Sequence, residues 1–244
     1  KHFKIKVCGQ LDKDIPRLKA VAKVIQSQAP ADYAFSLDGN EQFYECEDFR
    51  LFWNKILEDP ELRIFFEHVL FIEQPLNRKV ALSDAAADMK NWQDLPPIII
   101  DESDALIESL PRALELGYSG TSHKNCKGVF AGVANACLVE LQRRDGPRRD
   151  AVISGEDLAN IGPAALLQDI AAAAQRGVEA SERNGHHYFR GRSMFPEAVQ
   201  AQVLDRHPDL YERHADGWPT LQIHDGSIHV QSLVDAPFGV GFEL

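Results

Sequence analysis

Short apolar runs and longer amphipathic runs alternate along this chain. The strand-like runs are FKIKV (3–7), YAFSLD (33–38), HVLFIEQP (68–75), PPIIIDES (96–103), GYSGTSHK (117–124), DAVISGE (150–156) and HHYFRG (186–191). Between them DIPRLKAVAKVIQSQ (14–28), FRLFWNKILEDPELRIFF (49–66), FAGVANACLVELQRR (130–144) and PAALLQDIAAAAQRGVEAS (163–181) repeat apolar residues at helical spacing. Strict alternation of the two kinds predicts a parallel sheet with helices outside it. Seven such units favour a closed (β/α) barrel over an open doubly wound sheet. No G-x-G-x-x-G or G-x-x-x-x-G-K-[ST] follows any of these strands, which argues further against a Rossmann-type nucleotide site. The last stretch departs from the rhythm. WPTLQIHDGSIHVQS (218–232) predicts two short strands about the Asp225-Gly226 turn, and the Gly-rich APFGVGFEL follows.

Composition narrows the class. With 244 residues, 44% of them hydrophobic, the chain can bury a full core. Its net charge of −11 argues against nucleic acid as a partner, and no apolar run reaches the roughly 20 residues of a membrane span. Cys8, Cys46, Cys126 and Cys137 have no C-x-x-C spacing, so they read as buried small apolar residues in a reducing cytoplasm. The chain opens directly inside a strand-like segment, as a piece of a longer protein would.

Chemistry in a (β/α) barrel gathers at the C-terminal ends of its strands. The first strand carries Lys4 and Lys6, two apart and so on one face, with Ile5 and Val7 on the other. The next three end in Asp38, Glu73 and Asp101, and the fifth ends in Lys124. Three carboxylates at one rim cannot all stay ionised without a cation. All-oxygen ligation favours a hard divalent ion, Mg²⁺ above all with Mn²⁺ as the alternative. An ammonium group close to that ion and to another lysine loses stability, which brings it toward the range of a general base. Plainer readings exist for each residue alone: Asp101-Glu102-Ser103 as a helix cap, the lysine pair as an edge-strand device against aggregation. Their order on five successive strands is what sets them apart.

The ordered set resembles the enolase superfamily, in its muconate-lactonizing-enzyme-like and mandelate-racemase-like branches. The residues that carry the resemblance are the K-x-K of KIKVCG, the Asp of SLDGN, the Glu of IEQP, the Asp of IIIDES, the Lys of SHKNCKG and the closing DG…GVGFEL. It implies a (β/α)7β-like barrel that here lacks its first strand and the N-terminal capping domain, with a C-terminal β-hairpin extension. Residues 1–216 would be the partial catalytic barrel, and 217–244 a hairpin and tail that pack on the capping domain. Asp38, Glu73 and Asp101 would bind Mg²⁺, Lys6 would be the base on one substrate face, and Lys124 the acid–base group on the other. Lys4 would tune Lys6 and help hold the substrate carboxylate, while Asn40 and Glu102 would support the site. Lys127 is a rival to Lys124, but Lys124 directly ends its strand. ISGED carries no His of the His–Asp dyad of mandelate-racemase-type enzymes, which points to the two-lysine branch.

Ser154 and Glu156 end the next strand and are candidates to contact the distal part of a substrate. His186, His187, Tyr188, Arg190 and Arg192 cluster near the last one, where an arginine could grip a second carboxylate. The resulting expectation is Mg²⁺-dependent removal of the proton α to a carboxylate through a metal-stabilised enediolate, used for racemisation or epimerisation. Lyase chemistry (acid-sugar dehydratase or o-succinylbenzoate synthase-like) and cycloisomerisation share that first step. The other classes weighed are a Schiff-base aldolase barrel, which needs a lysine but no carboxylate triad, and a non-catalytic barrel. The expected partners are a small-molecule carboxylate and further copies of the chain in a homo-oligomer.

Overall fold

The computed structural model of the chain describes residues 1–92, 94–156, 160–179, 181–182 and 190–242. Packing divides it into two compact units, Lys1–Ser122 with Cys137–Ile153, and His123–Ala136 with Ser154–Leu244.

The first unit begins with β1 (His2–Lys6), α1 (Leu11–Gln28) and β2 (Ala34–Asp38). Then come α2 (Cys46–Glu58), α3 (Pro60–Phe66), β3 (Val69–Glu73), β4 (Ile98–Ile100), α4 (Ser109–Leu116) and β5 (Gly120–His123). α1 buries Leu18, Ala22 and Ile25, one face at helical spacing, against a core that includes Ile5, Phe35 and Leu37 of the strands. Phe35 stacks on Phe65 of α3 with ring centroids 4.4 Å apart. A side chain buried as fully as either is worth ~2 kcal/mol relative to exposure. The 49–66 run is two helices rather than one. Pro60 offers no N–H and disfavours helical backbone at Asp59, whose carboxylate instead caps α3 by accepting the N–H groups of Glu61 and Leu62 at 3.0 and 3.3 Å.

α5 (Val129–Arg144) and β6 (Val152–Glu156) carry the chain across the division. The second unit continues with α6 (Pro163–Gln175), β7 (Ser181–Glu182), α7 (Glu197–Arg206), β8 (Tyr211–Arg213), β9 (Pro219–Leu221) and α8 (Gln231–Asp235). Leu166, Leu167 and Ile170 of α6 form its core with Val203, Leu210, Tyr211, Leu221 and Leu233. The described seventh strand is Ser181–Glu182; of the expected HHYFRG strand, residues 186–189 lie outside the described residues.

The terminal hairpin exists but sits earlier than expected. β8 and β9 pair antiparallel, Tyr211 opposite Leu221, and bury both side chains. The Asp225-Gly226 turn, with both φ values positive at 50° and 75°, closes only a single bridge from His224 to Ser227. Burial explains the choice, because Ile223 beside that turn is exposed while Tyr211 and Leu221 fill the core.

Among the described residues the strands β1 to β7 follow chain order in one sheet. Its β1–β2, β2–β3, β3–β4, β4–β5 and β6–β7 pairs are parallel. Sequential parallel strands with helices in the crossovers are the topology of a (β/α) barrel. No helix of the described residues is long and apolar enough to cross a membrane.

Candidate active site

Strand register builds the site in the first unit. Lys4 lies opposite Ser36 and Lys6 opposite Asp38, while Asp38 pairs with Glu73 across the next ladder. Period-two alternation therefore sends both lysines and the Asp38 carboxylate to one face, and Ile5 and Leu37 to the helix side. The turn after β1 is fixed by buried Asp14, which accepts the N–H groups of Cys8 and Gln10, each at 3.1 Å. Gly9 takes φ +74° in that turn, as a Cβ-bearing residue there would do only under strain.

The lysines are engaged rather than solvated. Lys4, with its side chain 12% exposed, places Nζ 3.2 Å from Asp38 Oδ2 and 3.0 Å from Glu73 Oε2. Lys6 is half-exposed, and its Nζ lies 2.7 Å from Asp38 Oδ2 and 3.1 Å from Asn40 Oδ1. Asn40 donates its backbone N–H to Asp38 Oδ1 at 2.8 Å and its amide to Glu102 Oε1 at 2.9 Å. The sequence reading has Asn40 and Glu102 as supporting groups; in the structure Asn40 links Lys6 to Glu102 of the loop after β4.

Asp101 follows β4 directly and is buried. It is no helix cap, since α4 starts only at Ser109. Oxygens of Glu73 and Asp101 lie within 4.8 Å of each other, and Asp38 joins them through the shared Lys4. Burial, reinforced by Asp38 and Asp101, pushes the Glu73 carboxyl up to about 7 although Lys4 draws it down. Burial and the neighbouring Asp101 also raise Glu102. Glu73 Oε1 and Glu102 Oε2 are buried with no hydrogen-bond partner among the described residues. An orphaned oxygen in a cluster richer in carboxylates than in ammonium groups suits a hard cation.

Sequence reasoning missed Gln74, whose side chain is fully buried between β3 and the loop after β4. It accepts the N–H of Asp101 at 2.7 Å and donates to the Leu76 carbonyl, also at 2.7 Å. The available signal was an amide directly behind a strand-terminal acid, in a run bounded by Pro75.

In the second unit Lys124 directly follows β5 and pairs with Glu156 at 2.9 Å, while Lys127 ends a separate short turn, Asn125–Lys127. Ser154 is buried on β6, and its hydroxyl has no hydrogen-bond partner among the described residues. Arg192 is not a solvated loop cation: it is buried and donates to the Ile161 carbonyl and the Tyr211 hydroxyl. The cysteine reading needs correcting, because Cys8, Cys126 and Cys137 are exposed and only Cys46 is buried. Cys8 lies in the turn after β1 and Cys126 in the short Asn125–Lys127 turn after β5.

The site and sheet define a (β/α)-barrel protein with an acidic, lysine-lined strand-end cluster. Solved structures share the fold. An N-succinyl Arg/Lys racemase from Bacillus cereus matches with a TM-score of 0.56 at 17% identity, covering 95% of this chain and 54% of that one. A muconate cycloisomerase variant matches at 0.52 and 17%, covering 74% of this chain and 45% of that one. A dipeptide epimerase from Cytophaga hutchinsonii, solved with Mg and the dipeptide D-Ala-L-Val, matches at 0.51 and 16%, covering 78% and 46%. The chain has the barrel fold of these structures and spans about half of their length. No protein-family model and no curated protein matches it.

Proposed function

We propose that the chain is the catalytic barrel of an enolase-superfamily enzyme that removes the proton α to a carboxylate, for racemisation or epimerisation. The observation that carries this reading is the buried arrangement of Lys4 between Asp38 and Glu73, with Asp101 beside them and Lys6 at the open end. Asp38, Glu73 and Asp101 would hold Mg²⁺, or Mn²⁺, which when bound draws charge from the substrate carboxylate and so acidifies its α-carbon. Lys6, the more exposed lysine, takes the proton, and Asn40 holds its Nζ in place. Lys4 steadies the substrate carboxylate. Lys124, oriented by Glu156, is assigned the second acid–base role from its place in the strand order. N-acylated amino acids and dipeptides are the first substrates to try, after the racemase and the epimerase that share the fold.

The test is α-proton exchange in deuterated water with Mg²⁺ and the full-length protein. Exchange that disappears in Lys6→Ala supports the reading. No exchange on any α-chiral carboxylate sinks it, and exchange without inversion would favour the lyase or cycloisomerase outcomes.

A further inference from the structure

The β3–β4 ladder ends where the Gln74 N–H meets the Ile99 carbonyl at 2.9 Å. Beyond that point the two chains leave the sheet, yet the carboxylates that must cooperate stand on either side of it, Glu73 just before and Asp101 just after. The Gln74 side chain continues the ladder. Its Oε1 accepts two backbone N–H groups, from Asp101 at 2.7 Å and Ser103 at 3.2 Å. Its Nε2 donates to the Leu76 carbonyl at 2.7 Å and the Ser103 hydroxyl at 2.8 Å. Two backbone donors on one atom fix which end of the amide is oxygen, and all four hydrogen-bonding positions of the amide are in use. The backbone at Gln74 sits at φ +36°, an uncommon value for a non-glycine residue that the surrounding bonds must hold.

The neighbouring loop is locked to the same point. The Glu41 N–H donates to the Gln74 carbonyl at 2.9 Å, and Gly39 N–H to the Glu73 carbonyl at 2.8 Å. A Cβ on Gly39 would stand 2.5 Å from Pro75 Cα, so the two loops touch with no room for a side chain.

Resting on the metal reading above, we infer that Gln74 is a positioning residue that sets the separation of the Glu73 and Asp101 carboxylates, and through it the size of divalent cation they accept. A small ion with strict octahedral geometry depends on that spacing more than a large, adaptable one does. Groups that orient ligands without touching the metal typically change affinity by about 10–100-fold when altered.

The experiment measures Mn²⁺ binding to the full-length protein by electron paramagnetic resonance, with Ca²⁺ as competitor, in wild type, Gln74→Met and Ser103→Ala. Gln74→Met keeps the volume and removes all four bonds. Mn²⁺ affinity should fall about 10–100-fold and Ca²⁺ affinity by less, so the Mn²⁺/Ca²⁺ ratio drops. Ser103→Ala removes one of the four and should shift the ratio the same way, by a smaller factor. A folded Gln74→Met variant with an unchanged ratio overturns the inference, whether or not both affinities fall together. Should that variant not fold, an unchanged ratio in Ser103→Ala overturns it instead. Wild type that binds no Mn²⁺ sinks the metal reading itself, an outcome distinct from a wild type that binds and variants that do not differ.

Discussion

Two buried regions treat their polar side chains differently: the surroundings of His207 and Arg192 in the second unit, and the strand-end cluster of the first. In the second unit His207 is fully buried with both ring nitrogens engaged, Nδ1 at 3.0 Å from the Ser232 hydroxyl and Nε2 accepting the Gly241 N–H at 3.3 Å. The imidazole is thereby a neutral tautomer, in keeping with burial lowering its proton affinity. Arg192 spends its donors on Ile161 and Tyr211 and lies 4.9 Å over the Tyr211 ring. At the strand ends of the first unit, Glu73 and Glu102 each keep a buried oxygen with no partner among the described residues. Carboxylates there outnumber the ammonium groups beside them. Saturated polar burial holds a fold together. Unsaturated, like-charged burial costs stability and persists where a ligand completes it.

Breaking the surplus side should have the largest effect, on rate. Lys6→Ala should lower α-proton exchange about 10²–10⁴-fold while the unfolding midpoint stays near wild type, because Lys6 is half-exposed. A large loss of stability in that variant would erase the contrast. Breaking the saturated side should do the reverse. Arg192→Met keeps the aliphatic stem but removes the donors to the Ile161 carbonyl and the Tyr211 hydroxyl, at a cost of about 2 kcal/mol in denaturant unfolding. If Arg192 instead gripped a substrate carboxylate, KM would rise and stability would hold.

The next effect is on pH dependence. Folding raises the Glu73 carboxyl from 4.5 to about 7, so between those values the folded chain holds a proton that the unfolded chain has lost. Stability of the metal-free protein must then fall as pH rises from about 4.5 toward 7, by up to about 3 kcal/mol, and stay low above that. Glu73→Gln should flatten this slope and be the more stable protein at pH 8, and saturating Mg²⁺ should flatten it in wild type. Thermal unfolding at pH 5 and pH 8 reads all three, and an unchanged slope in Glu73→Gln would assign it to other groups.

Much of this was legible in the sequence. The face shared by Lys4 and Lys6 follows from period two, and three successive strand-terminal acids follow from where the apolar runs stop. The helix break at Asp59-Pro60 was also written there, and apolar periodicity on both sides masked it. The hairpin was displaced because the Asp225-Gly226 turn is a strong local signal, whereas burial of Tyr211 and Leu221 depends on residues far along the chain. Gln74 was invisible for a related reason. An amide reads as loop polarity until the two backbone N–H groups that it satisfies are brought beside it by a separate strand.

The smallest test lies where the two patterns meet. Ser154 belongs to the second unit, and among the described residues its buried hydroxyl has no hydrogen-bond partner, as Glu73 Oε1 of the first unit has none. An unpaired hydroxyl removed from water costs free energy that an alanine methyl does not, so Ser154→Ala should stabilise the protein by up to about 1 kcal/mol. Were Ser154 only another saturated core residue, with its partner among the atoms around it, the same change would destabilise by a similar amount. The sign of the shift in unfolding midpoint separates the two. A stabilised Ser154→Ala that also raises KM for the carboxylate substrate would give this hydroxyl a ligand as its partner.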